Sequence, residues 1–406
     1  MRIAILGAGS VGTCAALELA NRGHKVDLYD ESPEPVMRAS ANNEGKIHLG
    51  LVYAKDSSLE TARTMVLGAV HFASCLQRWI DLPMDDALLS TPFYYAVHKG
   101  TMVGTDELER HYGRCRQLLE DACSSTGLSY LGVDRTLIAE RVSTSEMDSL
   151  VGSDYFLSVF RTSERAVNPR IIASRLRQAV QANANISFIG NARISGADWG
   201  GTDRIKIAFR RDGAEYADTY DRVANTLWHG RLEIDKTLGI SPPQRWIYRY
   251  KLGGWLNLPV NRAAIPSLTL VLGPYGDVVN FGSQGLYFSW YPTGMIGTSF
   301  ELKPPDTLGA LTEIERSEIL RRSFDEMQKR CPRLATLAYS EEVVQGAGGV
   351  IFAWGQSDID EGNSRLHTRY EIGIHSSGNY HSVNTGKYTM APYLGWKTAE
   401  RILGVS

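Results

Sequence analysis

The chain has 406 residues, 43% hydrophobic and 22% charged, an ordinary globular composition long enough for two packed domains. Its 43 Lys and Arg against 45 Asp and Glu leave a net charge of −2, with no basic excess to attract a nucleic-acid backbone. No apolar run approaches the ~18 residues of a membrane span. The five cysteines are an odd number with no Cys-x-x-Cys spacing, which argues against both a disulfide framework and a metal site. The N-terminus runs straight into an apolar strand without a signal-peptide pattern, so a cytoplasmic location is expected.

Residues 2–6 predict a short buried strand. Gly7-Ala8-Gly9-Ser10-Val11-Gly12 follows, then an Ala- and Leu-rich helix over 11–22 closed by Gly23, then a second strand over 25–30. This order is a βαβ unit around a dinucleotide-binding turn. Gly7 permits the tight turn, Gly9 leaves room for a pyrophosphate, and Gly12 lets the helix approach the sheet. Ser10 and Val11 open the helix, whose free amides and positive dipole end face the phosphates. Asp30 ends the second strand and would accept hydrogen bonds from the adenosine ribose, which disfavours a 2′-phosphate. Glu31 takes that role if the strand runs one residue longer. The turn alone does not separate FAD from NAD.

Further along, Arg38-Ala39-Ser40-Ala41-Asn42-Asn43-Glu44-Gly45-Lys46-Ile47-His48-Leu49-Gly50 has the small residues and amides of a backbone-lined anion path. Ser163-Glu164-Arg165-Ala166-Val167-Asn168-Pro169 precedes an amphipathic helix over 170–182. A strand over 186–189 leads to the turn Gly190-Asn191-Ala192-Arg193, and Asp212-Gly213 joins two strands of a β-meander, 204–211 and 214–220. Strands over 245–250, 268–272, 286–291 and 296–300 and a helix over 312–330 predict an antiparallel sheet backed by helices. A strand over 372–375 and the turn Asn384-Thr385-Gly386-Lys387-Tyr388-Thr389-Met390 lead into a last helix reaching about 402.

Taken together these segments resemble the D-amino-acid oxidase-like FAD-dependent oxidoreductases, the superfamily of glycine and sarcosine oxidases and L-2-hydroxyglutarate dehydrogenase. The resemblance is strong over 1–50, moderate over 160–230 and 372–403, and weak between. It implies FAD, contacted by Ser40, Asn43, Gly45 and Lys46 along the pyrophosphate and ribityl chain. It also implies an adenine-side contact at Arg193, and a C-terminal turn (Gly386, Lys387, Tyr388, Thr389, Met390) facing the ribityl chain and pyrimidine end. The family's Asn-Ala-Ala-Gly-x-Trp-Ser segment becomes Asn225-Thr226-Leu227-Trp228-His229-Gly230, without the glycine, which puts that close approach in question.

The fold class is therefore α/β: a Rossmann-like FAD-binding domain with a β-meander (1–84, 151–235 and 336–406), plus an interleaved α+β substrate domain on an antiparallel sheet (85–150 and 236–335). Residues 151–160 could belong to either sheet. Tyr287, Trp290 and Tyr291 are candidate pocket aromatics, weighed against sheet packing. Arg249 is a candidate fork for a substrate carboxylate, weighed against a surface ion pair. His48 could face the flavin ring, and non-covalent FAD is expected rather than attachment through it. Lys46 reads as either a phosphate contact or a group near flavin N5 that holds a water. The expected reaction is oxidation of a CH–NH or CH–OH bond of a small polar substrate by hydride transfer to flavin N5. The alternatives are a flavin monooxygenase, against which stands the lack of a second G-x-G-x-x-G, and a non-catalytic FAD-binding subunit.

Overall fold

The computed structural model describes residues 1–132, 139–201 and 203–405. Two sheets dominate it. The first has six strands in the order Gly373–Ser377, Tyr380–Asn384, Arg222–Asn225, Ile3–Leu6, Val26–Tyr29, Ile186–Ile189. All run parallel except the edge strand Gly373–Ser377, which forms a hairpin with its neighbour. Helix Ser10–Asn21 packs against helices Pro169–Ala182 and Ala391–Leu403, and Glu60–Leu76 joins the last of these. The contact between Ser10–Asn21 and Ala391–Leu403 is close because Gly395 has no side chain: a Cβ there would lie 2.5 Å from Cys14 Cβ. Asn168 caps the helix Pro169–Ala182 by accepting the Arg170 N–H at 3.0 Å, with Pro169 supplying a first-turn residue that needs no N–H partner.

The meander is the antiparallel sheet Arg193–Trp199, Ile205–Arg211, Ala214–Tyr220. Its Asp212-Gly213 turn has positive φ at both residues, 52° and 80°, the geometry of a type I′ hairpin turn.

The second sheet has nine strands: Met295–Ser299, Trp246–Leu256, Leu286–Trp290, Gly276–Asn280, Ser267–Val271, Phe93–His98, Phe156–Thr162 and Ala139–Arg141 in order, with Val344–Trp354 along the full length of Trp246–Leu256. Every pairing is antiparallel except Ser267–Val271 with Phe93–His98. Phe156–Thr162 and Val344–Trp354 thus lie in this sheet, on the far side of the boundaries expected at 151 and 336. The expected strand over 245–250 is also longer, reaching Leu256 through Gly253 and Gly254. Those glycines are needed for packing, since Cβ atoms there would lie 2.5 Å from Tyr287 Oη and 2.4 Å from Phe288 Cζ. Among the described residues no helix is long and apolar enough to cross a membrane.

Candidate functional site

The Gly-rich turn behaves as its residue types require. Gly7 has φ of +95°, and a Cβ on Gly12 would lie 1.9 Å from the Gly7 carbonyl oxygen and 2.5 Å from Thr226 Oγ1. Gly9 is different: a Cβ there would meet only Ser40 Oγ, at 3.3 Å. The protein itself leaves the space above Gly9 open. Thr226 stands where the family pattern has a small residue. Its hydroxyl donates to the carbonyls of Leu6 at 2.9 Å and Gly7 at 2.7 Å, so it braces the turn from beneath. Asp30 follows directly on the strand Val26–Tyr29 and accepts the N–H groups of Ala8 at 2.7 Å and Ser32 at 2.8 Å. Glu31 is directed away and pairs with Arg38.

Ser40 and the loop after it close over the helix N-terminus. Ser40 Oγ accepts the Ser10 N–H at 3.0 Å. Asn43 holds the loop's shape, donating to the carbonyls of Ala39 and Ser40 and accepting the Gly45 N–H at 2.7 Å. Gly45 has φ of +69°, and Val167 O comes within 1.9 Å of where its Cβ would be. Arg193 is exposed at the start of its strand, beside Ala192, whose N–H bonds the Asp30 carbonyl at 2.8 Å. At the other end of the chain, Gly386 takes φ of +67° under Ile372. Thr389 then ties the two ends together, its hydroxyl accepting the His48 N–H at 3.0 Å and donating to the Lys46 carbonyl at 3.3 Å. Tyr388 packs near Phe72, and Met390 is buried against Gly68. Val11 is buried in the helix that Met390 and Leu394 cover.

Beside this crossing lies a cavity between the two sheets. Glu44, Lys46, His48, Lys387 and Tyr53 line it from the six-stranded side. Thr269, Tyr275, Asp277 and Tyr291 line it from the nine-stranded side, and Ile359, Leu366, His367 and Arg369 from the segment that crosses its mouth. Lys46 reaches across, its Nζ donating to Asp277 at 2.6 Å and to Thr269 Oγ1. Burial opposes ionisation of Asp277, but Lys46 and Lys251 outweigh it and hold the carboxyl below its ordinary range. Glu44, 3.4 Å from Lys251, is likewise held ionised against burial by Lys251 and Lys387.

His48 is buried on the cavity wall with Nδ1 3.7 Å from Glu164 Oε1, too long for a hydrogen bond. Burial pushes the imidazole pKa down, only partly offset by Glu164. Glu164 is fully buried. It accepts the Leu49 N–H at 2.7 Å and the Tyr95 hydroxyl, and the nearby His48 and Lys46 hold its pKa down although burial raises it.

The other expected residues divide. Tyr291 lines the cavity, with Lys251 Nζ 4.5 Å from its ring centroid. Tyr287 does not reach the wall. Its register partner across the sheet is Trp255, and the two rings pack 5.8 Å apart. Trp290 is on the opposite face with Phe288, as strand alternation dictates, and carries the Arg330 guanidinium at 3.8 Å. The surface reading of Arg249 is overturned: it is 3% exposed, and its Nη2 meets Asp358 at 2.8 Å while its Nε has no hydrogen-bond partner. The strand's inward face explains this, since Arg249 and Lys251 sit two residues apart on it.

Residues 2–401 match the family of FAD dependent oxidoreductases. The chain belongs to that family. FAD is its cofactor. A D-amino acid dehydrogenase of Cereibacter sphaeroides is 33% identical over 138 residues, 32% of this chain and 30% of that protein. A kynurenine 3-monooxygenase of Salinispora arenicola is 47% identical over 51 residues, 12% of this chain and 11% of that one. The chain thus matches less than a third of the length of these curated relatives. Among solved structures, glycine oxidase from Geobacillus kaustophilus aligns over 100% of this chain and 95% of that one, with TM-score 0.69 and 13% identity. The FAD-bound L-α-glycerophosphate oxidase of Mycoplasma pneumoniae aligns over 100% and 95%, with TM-score 0.63 and 13% identity. These likenesses establish a shared fold.

The residues of this FAD-dependent oxidoreductase fit the cofactor. The open space over Gly9 adjoins a helix N-terminus, and Ser10 Oγ there is buried with no hydrogen-bond partner among the described residues. Arg369, Glu164, Lys251, Asp277 and Tyr53 escaped the sequence reading. An acid inside the apolar strand Gly276–Asn280 and a Lys two residues from an Arg in an aromatic strand were the available signals.

Proposed function

We propose that this FAD-dependent oxidoreductase oxidises a CH–NH or CH–OH bond of a small polar substrate by hydride transfer to flavin N5, with His48 taking the heteroatom proton. The observation that carries this reading is His48 on the cavity wall with Glu164 behind it. Burial keeps the imidazole neutral near neutral pH, which is the form that accepts a proton. Glu164 lies on the Nδ1 side, leaving Nε2 to take the proton, and its carboxylate compensates the charge that then appears on the ring. Thr389 fixes the His48 backbone through the 3.0 Å hydrogen bond, so the position from which the ring projects is set from the far end of the chain. Lys46, drawn to Asp277 and Thr269, serves the substrate side of the cavity in this reading rather than the phosphates.

In the same reading the six-stranded sheet and meander hold the cofactor and the nine-stranded sheet covers the substrate. The boundaries expected at 151 and 336 then shift so that Phe156–Thr162 and Val344–Trp354 go with the sheet they build. Gly7, Gly9, Ser10, Val11, Gly12, Asp30, Ser40, Asn43, Gly45, Gly386, Tyr388, Thr389 and Met390 form the cofactor's surroundings, while Lys387 of the same turn serves the cavity it lines, and FAD is held without a covalent bond. The D-amino acid dehydrogenases among the relatives make amino acids the first substrates to try.

The test is anaerobic flavin reduction followed across pH in the wild type and in H48A. General-base assistance contributes roughly 10²–10⁴-fold, so H48A should lose about that much in the reduction rate. The wild-type rate should fall as pH drops through the depressed His48 pKa, below the ordinary histidine range, and H48A should lack that acid limb. Reduction of H48A at the wild-type rate would remove His48 from the reaction.

A further inference from the structure

Three cationic side chains line the cavity, Lys46, Lys387 and Arg369, and two more, Lys251 and Arg249, lie against the ring of its wall residue Tyr291. Three of the five have carboxylate partners, Lys46 with Asp277 at 2.6 Å, Lys251 with Glu44 at 3.4 Å and Arg249 with Asp358 at 2.8 Å. Arg369 and Lys387 form no ion pair with any carboxylate among the described residues. Arg369 is only 7% exposed, and its Nη1 donates to the Phe352 carbonyl at 3.0 Å. The other acids nearby are engaged elsewhere. Glu164 lies on the far side of His48, held by Leu49 and Tyr95. Glu371 pairs with Arg365 at 2.9 Å, and Asp360 is exposed.

The same wall carries the Tyr53 hydroxyl, buried and without a hydrogen-bond partner. A buried cation is tolerated when a counter-charge meets it, and a buried hydroxyl when it is hydrogen-bonded. Among the described residues the Tyr53 hydroxyl has no hydrogen-bond partner, Arg369 bonds a carbonyl but no carboxylate, and Lys387 has only the field of Glu44, so a ligand's acid groups can complete all three.

We propose that the substrate carries two acid groups, one received by the Arg369 guanidinium with the Tyr53 hydroxyl and the other by the Lys387 ammonium. This rests on the reading of the cavity as the substrate site. A guanidinium takes a carboxylate or phosphate oxygen pair as a fork, while an ammonium meets an acid group as a point charge. A ligand with one acid group leaves one of the two cations unmatched. Val52, Leu270, Ile359 and Leu366 supply the apolar part of the wall, which suits a short aliphatic stretch between the acid groups. Glu44 and Asp277, already ionised, repel a third acid group and can accept hydrogen bonds from the amine or hydroxyl to be oxidised. Burial first, and then Arg369, pushes Lys387 down to about 8, while burial takes Arg369 to about 10. Lys387 must be protonated to hold an anion, so diacid affinity is present below pH 8 and declines as pH rises through it.

The experiment titrates FAD-loaded protein with redox-inert acids, reading the visible flavin spectrum and, in parallel, thermal stabilisation. Malonate, succinate and glutarate are compared with acetate, propionate and butyrate, and phosphonoacetate and 3-phosphonopropionate distinguish a phosphoryl from a carboxyl group at one end. The best diacid should bind about tenfold or more tightly than its monoacid counterpart, with the preference fading above pH 8. R369M and K387M should each bring diacid and monoacid close together while still holding FAD, and R369K and K387R should keep part of the preference. Equal affinities in the wild type, no diacid binding by either readout, or an undiminished preference in both charge-removing variants would overturn the inference. Flavin reduction by neutral amines without any acid preference would overturn it and leave the oxidation reading standing. A diacid preference without flavin reduction by any amine or alcohol would do the reverse.

Discussion

Thr226 is a single side chain whose hydroxyl braces the point where the first strand enters the nucleotide turn, through the Leu6 and Gly7 carbonyls. A net hydrogen bond is worth about 0.5–1.5 kcal/mol, so T226V should weaken FAD binding roughly 2–10-fold in a fluorescence titration. T226S should restore it, and unchanged FAD affinity in T226V would show that the turn needs no brace. The missing family glycine falls two residues on, at Trp228, which takes a positive φ of 57° itself and donates its indole N–H to the Val350 carbonyl at 2.6 Å. Gly7, Gly12 and Asp30 were legible in the sequence because each answers a local demand, a positive φ, a close approach or a strand end, while Ser40, which meets the Ser10 N–H from 30 residues away, was read through the family resemblance. Arg369, Glu164 and Asp277 were not, because their meaning comes from partners far along the chain. Lys46 and Asp277 are 231 residues apart, and Glu164 serves Leu49 from 115 away. A residue whose role is set by a distant charge carries no local pattern to read. Arg249 shows the same limit from the other side, since an arginine looks exposed until its strand is known to have both faces covered.

At the scale of elements, the helices Ser10–Asn21 and Ala391–Leu403 set the distance between the two ends of the cofactor site. Gly395 makes their contact possible, with Val11 O 3.0 Å and Cys14 Cβ 2.5 Å from where its Cβ would be. G395A should therefore push the helices apart, costing about 1–3 kcal/mol as overpacking does, and lower FAD affinity with it. Thermal unfolding of the FAD-free and FAD-loaded protein measures both, and a G395A protein with wild-type melting and FAD binding would contradict the packing account. The βαβ unit and the meander were read nearly to the residue, since hydrophobic period and turn chemistry agree there. Several strands were missed, Phe93–His98 and Gly276–Asn280 among them, and two more were missed for opposite reasons. Tyr380–Asn384 is fully buried but polar, its Ser382 hydroxyl donating to Asp235 at 2.6 Å and its Tyr380 hydroxyl to the same carboxylate at 2.8 Å. Val344–Trp354 carries Gly346, Gly348 and Gly349, and glycine lowers strand propensity even where, as at Gly348, whose Cβ would lie 2.9 Å from Lys251 O, it makes room for a neighbour.

On the scale of the whole molecule, the six-stranded and nine-stranded sheets are built from interleaved segments that meet at one cavity. The chain's beginning supplies Lys46 and His48, its middle Thr269 and Asp277, and its end Arg369 and Lys387. In the proposed reading the substrate side was the less legible half because its residues answer to a ligand and to one another, whereas the nucleotide side answers to a cofactor with a fixed shape. The central claim is that this family member binds FAD and that a substrate in the cavity reduces it. The absorption spectrum of the purified protein, taken before and after anaerobic addition of amines, amino acids and hydroxy acids with one or two acid groups, tests it most directly. The account predicts a yellow flavin band that bleaches, fastest with a two-acid compound. A colourless protein that takes up no FAD, or a flavin that stays oxidised against every compound, would contradict it.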